Sequence, residues 1–373
     1  MQNPPAFKPT IGIMGAGQLG MMLAQAGTRL GMSFRFLDPA TEIAARGLGE
    51  HICAAYEDID ALEEFARGLT AITYEFENVP LESVRWLSQR VPVHPQPEAL
   101  KEAQDRLFEK TFFHSVGIPV PDFSAFFFRD EYDDAVRKIG LPAVLKTRRF
   151  GYDGKGQRVV RTLDEAGRAF KELNGMPLFL EGFVPFDREL SIIAVRSLEG
   201  ECRFYPLVEN HHRDGILRLS IAPAPNLTEQ LQKEAEDYVR RVMEKLNYVG
   251  VLAIEFFVRE GALSANEMAP RVHNSGHWTI EGAETSQFEN HLRAITGMPL
   301  GSTAAKGHSE MINIIGEFPD LTEARKKEGV SIHDYGKKPR AGRKLGHVTI
   351  NGESSAIVES LMASARLTDP PKP

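Results

Sequence analysis

The stretch Glu255-Phe-Phe-Val-Arg-Glu-Gly-Ala-Leu-Ser-Ala-Asn266-Glu267-Met-Ala-Pro-Arg271-Val-His273-Asn274-Ser-Gly-His277 decides how this chain is read. It begins inside an apolar run, Tyr248 to Val258, whose Val, Ile and Phe content reads as a buried strand. Glu260-Gly261 supplies a turn, and Leu263 to Met268 reads as the returning strand. A three-residue loop, Glu260-Gly261-Ala262, would set Glu255 opposite Glu267 with both side chains on one face. Like charges so placed repel, unless one carboxyl takes up a proton or a cation sits between them. The two carboxylates and the amide of Asn266 are a hard oxygen set that suits Mg²⁺, which completes its shell with water and substrate phosphates. A two-residue turn would instead send Glu267 to the other face, each Glu finding its own Lys or Arg. The loop that follows crowds Arg271, His273, Asn274 and His277 among Pro, Gly and Ser, and polar loops of this kind carry function.

Around this hairpin, 373 residues are too many for one ordinary core, so two or three domains are expected. The net charge of −7 is spread along the chain, which offers no basic surface for nucleic acid or membrane. Cys53 and Cys202 give neither a disulfide framework nor metal spacing and read as small buried hydrophobes in a reducing compartment. No apolar run approaches the ~18 residues of a membrane span, and the first residues lack a signal-peptide core. A soluble, cytoplasmic α/β protein is the expectation.

Residues 10 to 100 alternate short strands with helices, the rhythm of a doubly wound, Rossmann-like sheet. Thr10 to Met14 is read as a strand, Gly15 to Gly20 as a glycine-rich turn, Gln18 to Leu30 as a helix, and Ser33 to Leu37 and Ala71 to Phe76 as further strands. The glycine turn, with Asp38 roughly twenty positions on, matches the dinucleotide fingerprint. That keeps an NAD-dependent oxidoreductase open. A helix N-terminus behind glycines holds any phosphate, and a tight turn without ligand is equally compatible.

Residues 98 to 117 read as one helix with Arg106 and Lys110 a turn apart; a solvated helix face is the plain alternative for Arg106. Pro142 to Thr147 is a strand carrying Lys146. After it, Arg148 to Gln157 holds three glycines and three basic side chains between two strands. Backbone amides of such a loop approach phosphate closely, although the pattern is not a P-loop, since Gln157 stands where Lys belongs and a strand follows. A solvated hairpin tip is the alternative; Lys146 on the preceding strand favours a phosphate lid. Leu178 to Val184, Glu189 to Val195 and Arg203 to Val208 read as strands, Asn210 to Gly215 as a turn, and Leu227 to Leu246 as an amphipathic helix. Lys337, Lys338, Arg340, Arg343 and Lys344 lie on a Pro/Gly turn before a strand at Val348 to Ile350, either a solvated face or a phosphate grip.

Together, Gly17-Gln18-Leu19-Gly20, Tyr74-Glu-Phe-Glu-Asn-Val79, Gly151-Tyr-Asp-Gly-Lys-Gly-Gln157, Asp214-Gly-Ile-Leu-Arg218, Asn266 to His277 and Gly342-Arg-Lys-Leu-Gly-His347 resemble the ATP-grasp enzymes. Within that superfamily the likeness is to the 5-(carboxyamino)imidazole ribonucleotide synthase family of purine biosynthesis, from Ile11 to about Ile350. The resemblance implies three parts: a Rossmann-like domain over 1–100, an ATP-grasp domain over 101–300 with a mobile lid at about 121–184, and a small β-rich domain over 301–373. It implies ATP-dependent carboxylation of 5-aminoimidazole ribonucleotide by bicarbonate through carboxyphosphate, in a cytoplasmic homodimer. The alternatives are another ATP-grasp ligase or carboxylase, an NAD-dependent oxidoreductase, and a non-catalytic nucleotide-binding module.

On the same resemblance, Glu255 and Glu267 hold Mg²⁺, for which Mn²⁺ could substitute. Arg106 and Lys146 touch phosphate, and Gly151, Tyr152, Asp153, Gly154, Lys155, Gly156 and Gln157 form the lid. Glu181, Gly182, Phe183 and Val184 meet the adenine edge, Glu189 takes the ribose, and His212 and Asn266 are further nucleotide contacts. Arg271, His273 and Asn274 bind bicarbonate, and Tyr152 and Asp153 lie near the meeting point of the substrates; His273 and Tyr152 are candidates for a general base. Gln18 and Leu19, with Glu75 or Glu77, hold the ribonucleotide, whose phosphate falls to Lys337, Arg343 and Lys344. Asp38 has no required role in this reading and is taken as a strand-end cap or turn residue.

Overall fold

The computed structural model describes residues 8–126, 128–151, 156–173 and 176–352. In chain order, the first domain comprises β1 (Thr10–Met14), α1 (Gln18–Arg29), β2 (Ser33–Leu37), β3 (Glu50–Ile52), α2 (Ile59–Ala66), β4 (Ala71–Tyr74) and α3 (Leu81–Ser88). Its sheet is parallel, in the order β3-β2-β1-β4. α4 (Pro97–Ala103) and α5 (Arg106–Ser115) lead to a second sheet built from β5 (Phe123–Phe126), β6 (Ala143–Thr147), β7 (Gln157–Val160) and β8 (Leu178–Gly182). That sheet, ordered β5-β8-β6-β7, is covered by α6 (Arg129–Ile139) and α7 (Leu163–Leu173) and has its own core around Phe126, Tyr132, Leu145 and Phe170.

The remaining strands are β9 (Arg188–Arg196), β10 (Cys202–Phe204), β11 (Val208–Arg213), β12 (Ile216–Ala222), β13 (Gly250–Arg259), β14 (Ala262–Ala269), β15 (Ser309–Ile315), β16 (Val330–Asp334) and β17 (Lys344–Asn351). They form one sheet in the order β14-β13-β9-β11-β12-β15-β17-β16, with β10 on β9. The C-terminal strands thus extend the central sheet while packing a separate core of Leu219, Ile312, Ile314, Leu345, Val348 and Ile350. One face of the centre is covered by α8 (Glu229–Lys245), whose Leu231, Ala235, Tyr238, Val242 and Met243 are buried and whose N-terminus is capped by Thr228. α9 (Thr279–Gly282) and α10 (Gln287–Ile295) cover the other. α10 also meets α1, and Gly27 makes the approach possible: a Cβ there would lie 2.8 Å from Leu292.

The β13–β14 register combines the two alternatives for the hairpin. Arg259 pairs with Ala262, so the loop is the two-residue one, Glu260-Gly261, with φ of 51° and 79°. Positive φ at both positions is the geometry of a tight hairpin turn. The strained Glu260 is held by its amide, which donates to Asp187 at 2.7 Å. Yet Glu255 still pairs with Glu267, because the register slips between Glu255 and Phe256 and leaves Asn266 as a bulge. One extra residue returns Glu267 to the face that a two-residue turn alone would deny it.

The reason for the bulge lies outside the hairpin. The amide of Ala265 donates to the Pro119 carbonyl at 2.8 Å, and its carbonyl accepts from Lys110 at 3.0 Å. The Met268 amide donates to Glu109 at 2.6 Å. The first two turns of α5 therefore grip β14 on both sides of Asn266.

Other expectations need correction. Residues 98–117 are two helices, because Asp105 caps the Leu107 amide and the Gln104 side chain donates to the Glu77 and Val79 carbonyls. Arg203 to Val208 is not one strand; β10 ends at Phe204, and Pro206, without an N–H, interrupts before β11. His211 and His212 lie on β11 at a bulge, and only Asp214-Gly215 turns the chain. β16 had no reading in the sequence, being short and polar.

Candidate active site

A cleft of about 590 Å³ lies between the β5–β8 sheet and the central sheet, with Gln18, Leu19 and Glu75 at one end. This is the size of a small-ligand site. At its floor, Glu255 and Glu267 face each other across the bulged pair. Burial and the neighbouring Glu267 push the Glu255 carboxyl up to about 7. Burial opposes ionisation of Glu267 as well, but Arg106 and Lys146 hold its carboxyl below the usual range. Arg106 reaches Glu267 at 2.5 Å and Glu109 at 3.1 Å from the first turn of α5, so it is a site residue and not part of a solvated face. Among the described residues no three His, Cys, Asp or Glu side chains converge as a metal cage.

On the lid side, Lys146 projects from β6 to Glu181 of β8 at 2.6 Å, and the other oxygen of Glu181 meets Lys110 at 2.5 Å. Burial would raise the Glu181 carboxyl, but Lys110 and Lys146 bring it down to about 2. Its carboxylate is therefore engaged by two ammonium groups, and Glu181, Gly182, Phe183 and Val184 together line the cleft wall. Arg148 is tied to Asp105 by two bonds of 2.9 and 2.8 Å, and Arg149 to Gln104 at 2.8 Å. Two of the three basic residues read as phosphate ligands thus fasten the root of the lid. Gly151, Gly156 and Gln157 line the cleft, while Tyr152, Asp153, Gly154 and Lys155 fall outside the described residues.

Opposite, Glu189 accepts from His212 at 2.5 Å, and both line the cleft with Asn266. Burial works against a charged His212, yet Glu189 and Glu255 raise its pKa to about 9, so it is an imidazolium at neutral pH.

The loop after β14 brings Arg271, His273 and Asn274 to the same cleft. Arg271 donates from Nε to Glu77 at 2.7 Å. Burial, with the charges of Arg271 and Lys344, keeps His273 well below its usual pKa and therefore neutral. Both amide atoms of Asn274 are shielded from solvent and have no hydrogen-bond partner among the described residues. Such groups in a cleft call for a ligand. The backbone here is pinned by the buried Gln287, which accepts from the His273 amide at 2.9 Å and donates to its carbonyl at 2.6 Å. Gly276 is obligatory beside it, because a Cβ would come within 2.6 Å of the Gln287 side chain.

The first domain supplies the far end. The Glu75 carboxylate accepts from the amides of Gly17 at 2.5 Å and Gly20 at 2.8 Å. It occupies the anion position at the start of α1 where a dinucleotide pyrophosphate would lie. Asp38 accepts from Ala16 and Ala40, as a turn residue does. The dinucleotide reading of Gly15 to Gly20 is overturned: the chain fills that site with its own carboxylates. Lys337 donates to Gln18, and burial with nearby Arg343 and Lys344 lowers its pKa to about 8. Lys344 lines the cleft, whereas Arg343 and the exposed Lys338 do not.

Glu109, Ser191, Asn210, Ser275 and Gln287 had no role in the sequence reading. One signal was available for Ser191: a lone hydroxyl within the apolar run Glu189 to Val195. The others are ordinary polar residues until the fold assembles them.

Comparison with known proteins bears on the whole chain. Residues 8–104 match a ribonucleotide synthetase preATP-grasp domain, 111–288 an ATP-grasp domain, and 309–361 a phosphoribosylaminoimidazole carboxylase C-terminal domain. The chain is 54% identical to an N5-carboxyaminoimidazole ribonucleotide synthase of Pseudomonas aeruginosa, over 95% of this chain and 97% of that one. It superposes on the crystal structure of an N5-carboxyaminoimidazole ribonucleotide synthetase from Thermus thermophilus with a TM-score of 0.91 at 55% identity, covering 97% and 100% of the two chains. The Aspergillus clavatus enzyme in complex with ADP and 5-aminoimidazole ribonucleotide is similar at 29% identity, with a TM-score of 0.88 and coverage of 96% and 98%.

Proposed function

This chain belongs to the N5-carboxyaminoimidazole ribonucleotide synthase family of ATP-grasp ligases, and on that premise we propose how its residues divide the work. The reaction is the ATP-dependent carboxylation of 5-aminoimidazole ribonucleotide with bicarbonate. A bicarbonate oxygen attacks the γ-phosphorus, the bond to the ADP oxygen breaks, and carboxyphosphate forms. The exocyclic amine then attacks the carboxyl carbon, directly or as released CO₂; phosphate departs and the amine loses a proton.

The facing of Glu255 and Glu267 is the observation that carries this reading. Two facing carboxylates in the cleft, with Glu255 raised by burial and by its neighbour Glu267, are a donor set for Mg²⁺ or Mn²⁺, ions that need few protein ligands when phosphates and water supply the rest. Glu255 and Glu267 would hold such an ion, and the chemistry it would supply is neutralisation of the charge that grows during phosphoryl transfer. Arg106 and Lys146 add fixed positive charge beside it. The adenine edge falls to Glu181, Gly182, Phe183 and Val184, the ribose to Glu189 with its partner His212, and Asn266 is a further contact at the bulge. Gly151 to Gln157, including Tyr152, Asp153, Gly154, Lys155 and Gly156, excludes the water that would hydrolyse carboxyphosphate.

Bicarbonate is both donor and acceptor, and the amide of Asn274 offers one of each. Arg271 supplies the cation and His273 a neutral donor. Gln18, Leu19 and Glu77 border the ribonucleotide base and ribose, with Glu75 shaping the loop beneath them; Lys337, Arg343 and Lys344 take its phosphate. The division into 1–100, 101–300 and 301–373, the homodimer and the cytoplasmic location rest on the family resemblance; light scattering tests the second.

Purified protein mixed with ATP, Mg²⁺, bicarbonate and 5-aminoimidazole ribonucleotide should release ADP at a rate that depends on the ribonucleotide. ADP release indifferent to the ribonucleotide, together with strong turnover of another amine, would reject this substrate in favour of another ATP-grasp reaction.

A further inference from the structure

We propose that Ser275, Ser191, Asn210 and Ser220 lock the His273 ring in the tautomer that carries its proton on Nε2, so that His273 enters the reaction as a hydrogen-bond donor and not as the base. The inference rests on the assignment of His273 to the bicarbonate subsite made above.

Hydrogen-bond direction can be followed along a buried chain. The backbone amide of Ser275 donates to His273 Nδ1 at 3.3 Å. An amide nitrogen cannot accept, so Nδ1 is the unprotonated nitrogen and a neutral ring must carry its hydrogen on Nε2. The Ser275 hydroxyl lies 2.8 Å from the same Nδ1. Its own oxygen accepts from the Ser191 hydroxyl at 2.8 Å, which leaves the Ser275 proton for the imidazole. Ser191 in turn accepts from the Asn210 amide nitrogen at 2.9 Å, and the Asn210 carbonyl oxygen accepts from Ser220 at 2.8 Å. Every donor from Ser220 to Ser275 thus points the same way, toward the ring.

The chain stands on one face of the central sheet. Ser191 of β9 is directly opposite Glu255 of β13, and Asn210 of β11 is directly opposite both Glu189 and Ser220. Ser191, Ser220 and Ser275 have no exposed surface, and Asn210 is 3% exposed. Among the described residues Ser220 is the last member of this chain, and it has no exposed surface. A chain so ended, with every donor aimed at the ring, orients the ring. Across the ring, Nε2 faces Glu255 at 3.6 Å, outside hydrogen-bond range, on the side of the cleft. An Nε2–H there suits an anionic oxygen. The proton shed by the attacking amine must leave by another group.

The test is long-range ¹H–¹⁵N spectroscopy of the whole enzyme labelled at histidine, with the His273 signals identified by their loss in His273→Asn. A pyridine-type Nδ1 and a pyrrole-type Nε2 are expected; a protonated Nδ1 in the wild type would overturn the proposal without recourse to any variant. Ser191→Ala releases the Ser275 hydroxyl to rotate. The ring shifts should then move toward a mixture of tautomers, and kcat for bicarbonate-dependent ADP release should fall on the order of 10-fold, the low end for outer-shell partners of functional groups, with KM for ATP unchanged. Ser191→Thr, which keeps the hydroxyl, should restore both. Unaltered shifts and kcat in Ser191→Ala would overturn the role of the chain. If the Nε2–H tautomer is present but ATP cleavage ignores bicarbonate, the subsite assignment fails and the tautomer stands, so the two failures are separable.

Discussion

The ammonium of Lys110 donates to the carbonyl of Ala265 at 3.0 Å and pairs with Glu181 at 2.5 Å, joining α5, the bulged strand β14 and the lid strand β8 at one buried atom. Replacement by methionine keeps the length and apolar stem but strands the Ala265 carbonyl and one oxygen of Glu181. Removing one partner of a buried pair costs about 3–5 kcal/mol. Lys110→Met should show that loss as a lowered urea midpoint, and a raised KM for ATP as the bulge and the lid lose their shared anchor. A wild-type midpoint would show that the anchor is dispensable.

Glu255→Ala and Glu267→Ala should each lower turnover by several orders of magnitude, because neither carboxylate alone can hold the ion that offsets phosphate charge. Glu255→Ala should not lower thermal stability of the ligand-free protein, since it removes one side of the repulsion that raises the Glu255 pKa. Calorimetry and ADP-release kinetics on the same samples read both; near-normal turnover in either variant contradicts the role.

In Glu75→Gln, one of the two carboxylate oxygens becomes an NH₂ group that faces a backbone N–H. Leaving a buried donor unsatisfied costs about 1–3 kcal/mol, and urea unfolding should report a loss of that size. The wild type should give no heat on titration with NAD, because Glu75 occupies the place of its pyrophosphate. Measurable NAD binding would reopen the oxidoreductase reading.

His291 links the first domain to the central one: Nδ1 accepts from the Val251 amide at 3.0 Å, so Nε2 carries the proton toward Thr73 at 2.8 Å. Burial lowers its pKa from 6.5 to about 3. The unfolded chain therefore binds a proton that the folded one refuses between those values. The stability from this group is complete above pH 6.5 and is lost as pH falls toward 3. Between pH 7.5 and 5.5 the loss is about 1.4 kcal/mol, one pKa unit's worth. Other buried groups add terms of both signs, so the check is a difference: His291→Gln should lack this part of the wild-type pH dependence in urea unfolding. Identical slopes for the two proteins would contradict it.

Much of this molecule was legible along the chain. Short apolar runs gave β1, β2, β9 and β13, amphipathic spacing gave α8, and the motif from Asn266 to His277 marked the loop where Arg271, His273 and Asn274 gather. These are local properties: apolar runs, helical spacing and turn chemistry depend on neighbours within a few residues. Whether Glu255 would face Glu267 was not local. The turn by itself favours the wrong face, and the correction comes from Lys110, 155 positions away from the Ala265 it holds. Likewise the glycine turn signals an anion site, but only the packed sheet delivers Glu75 across 58 positions to fill it. Residue types and spacing decided which chemistry the chain could perform. Register, tautomer and the partner of each buried charge were decided by tertiary structure, because hydrogen bonds made across long loops choose among local conformations that the sequence leaves nearly equal in energy.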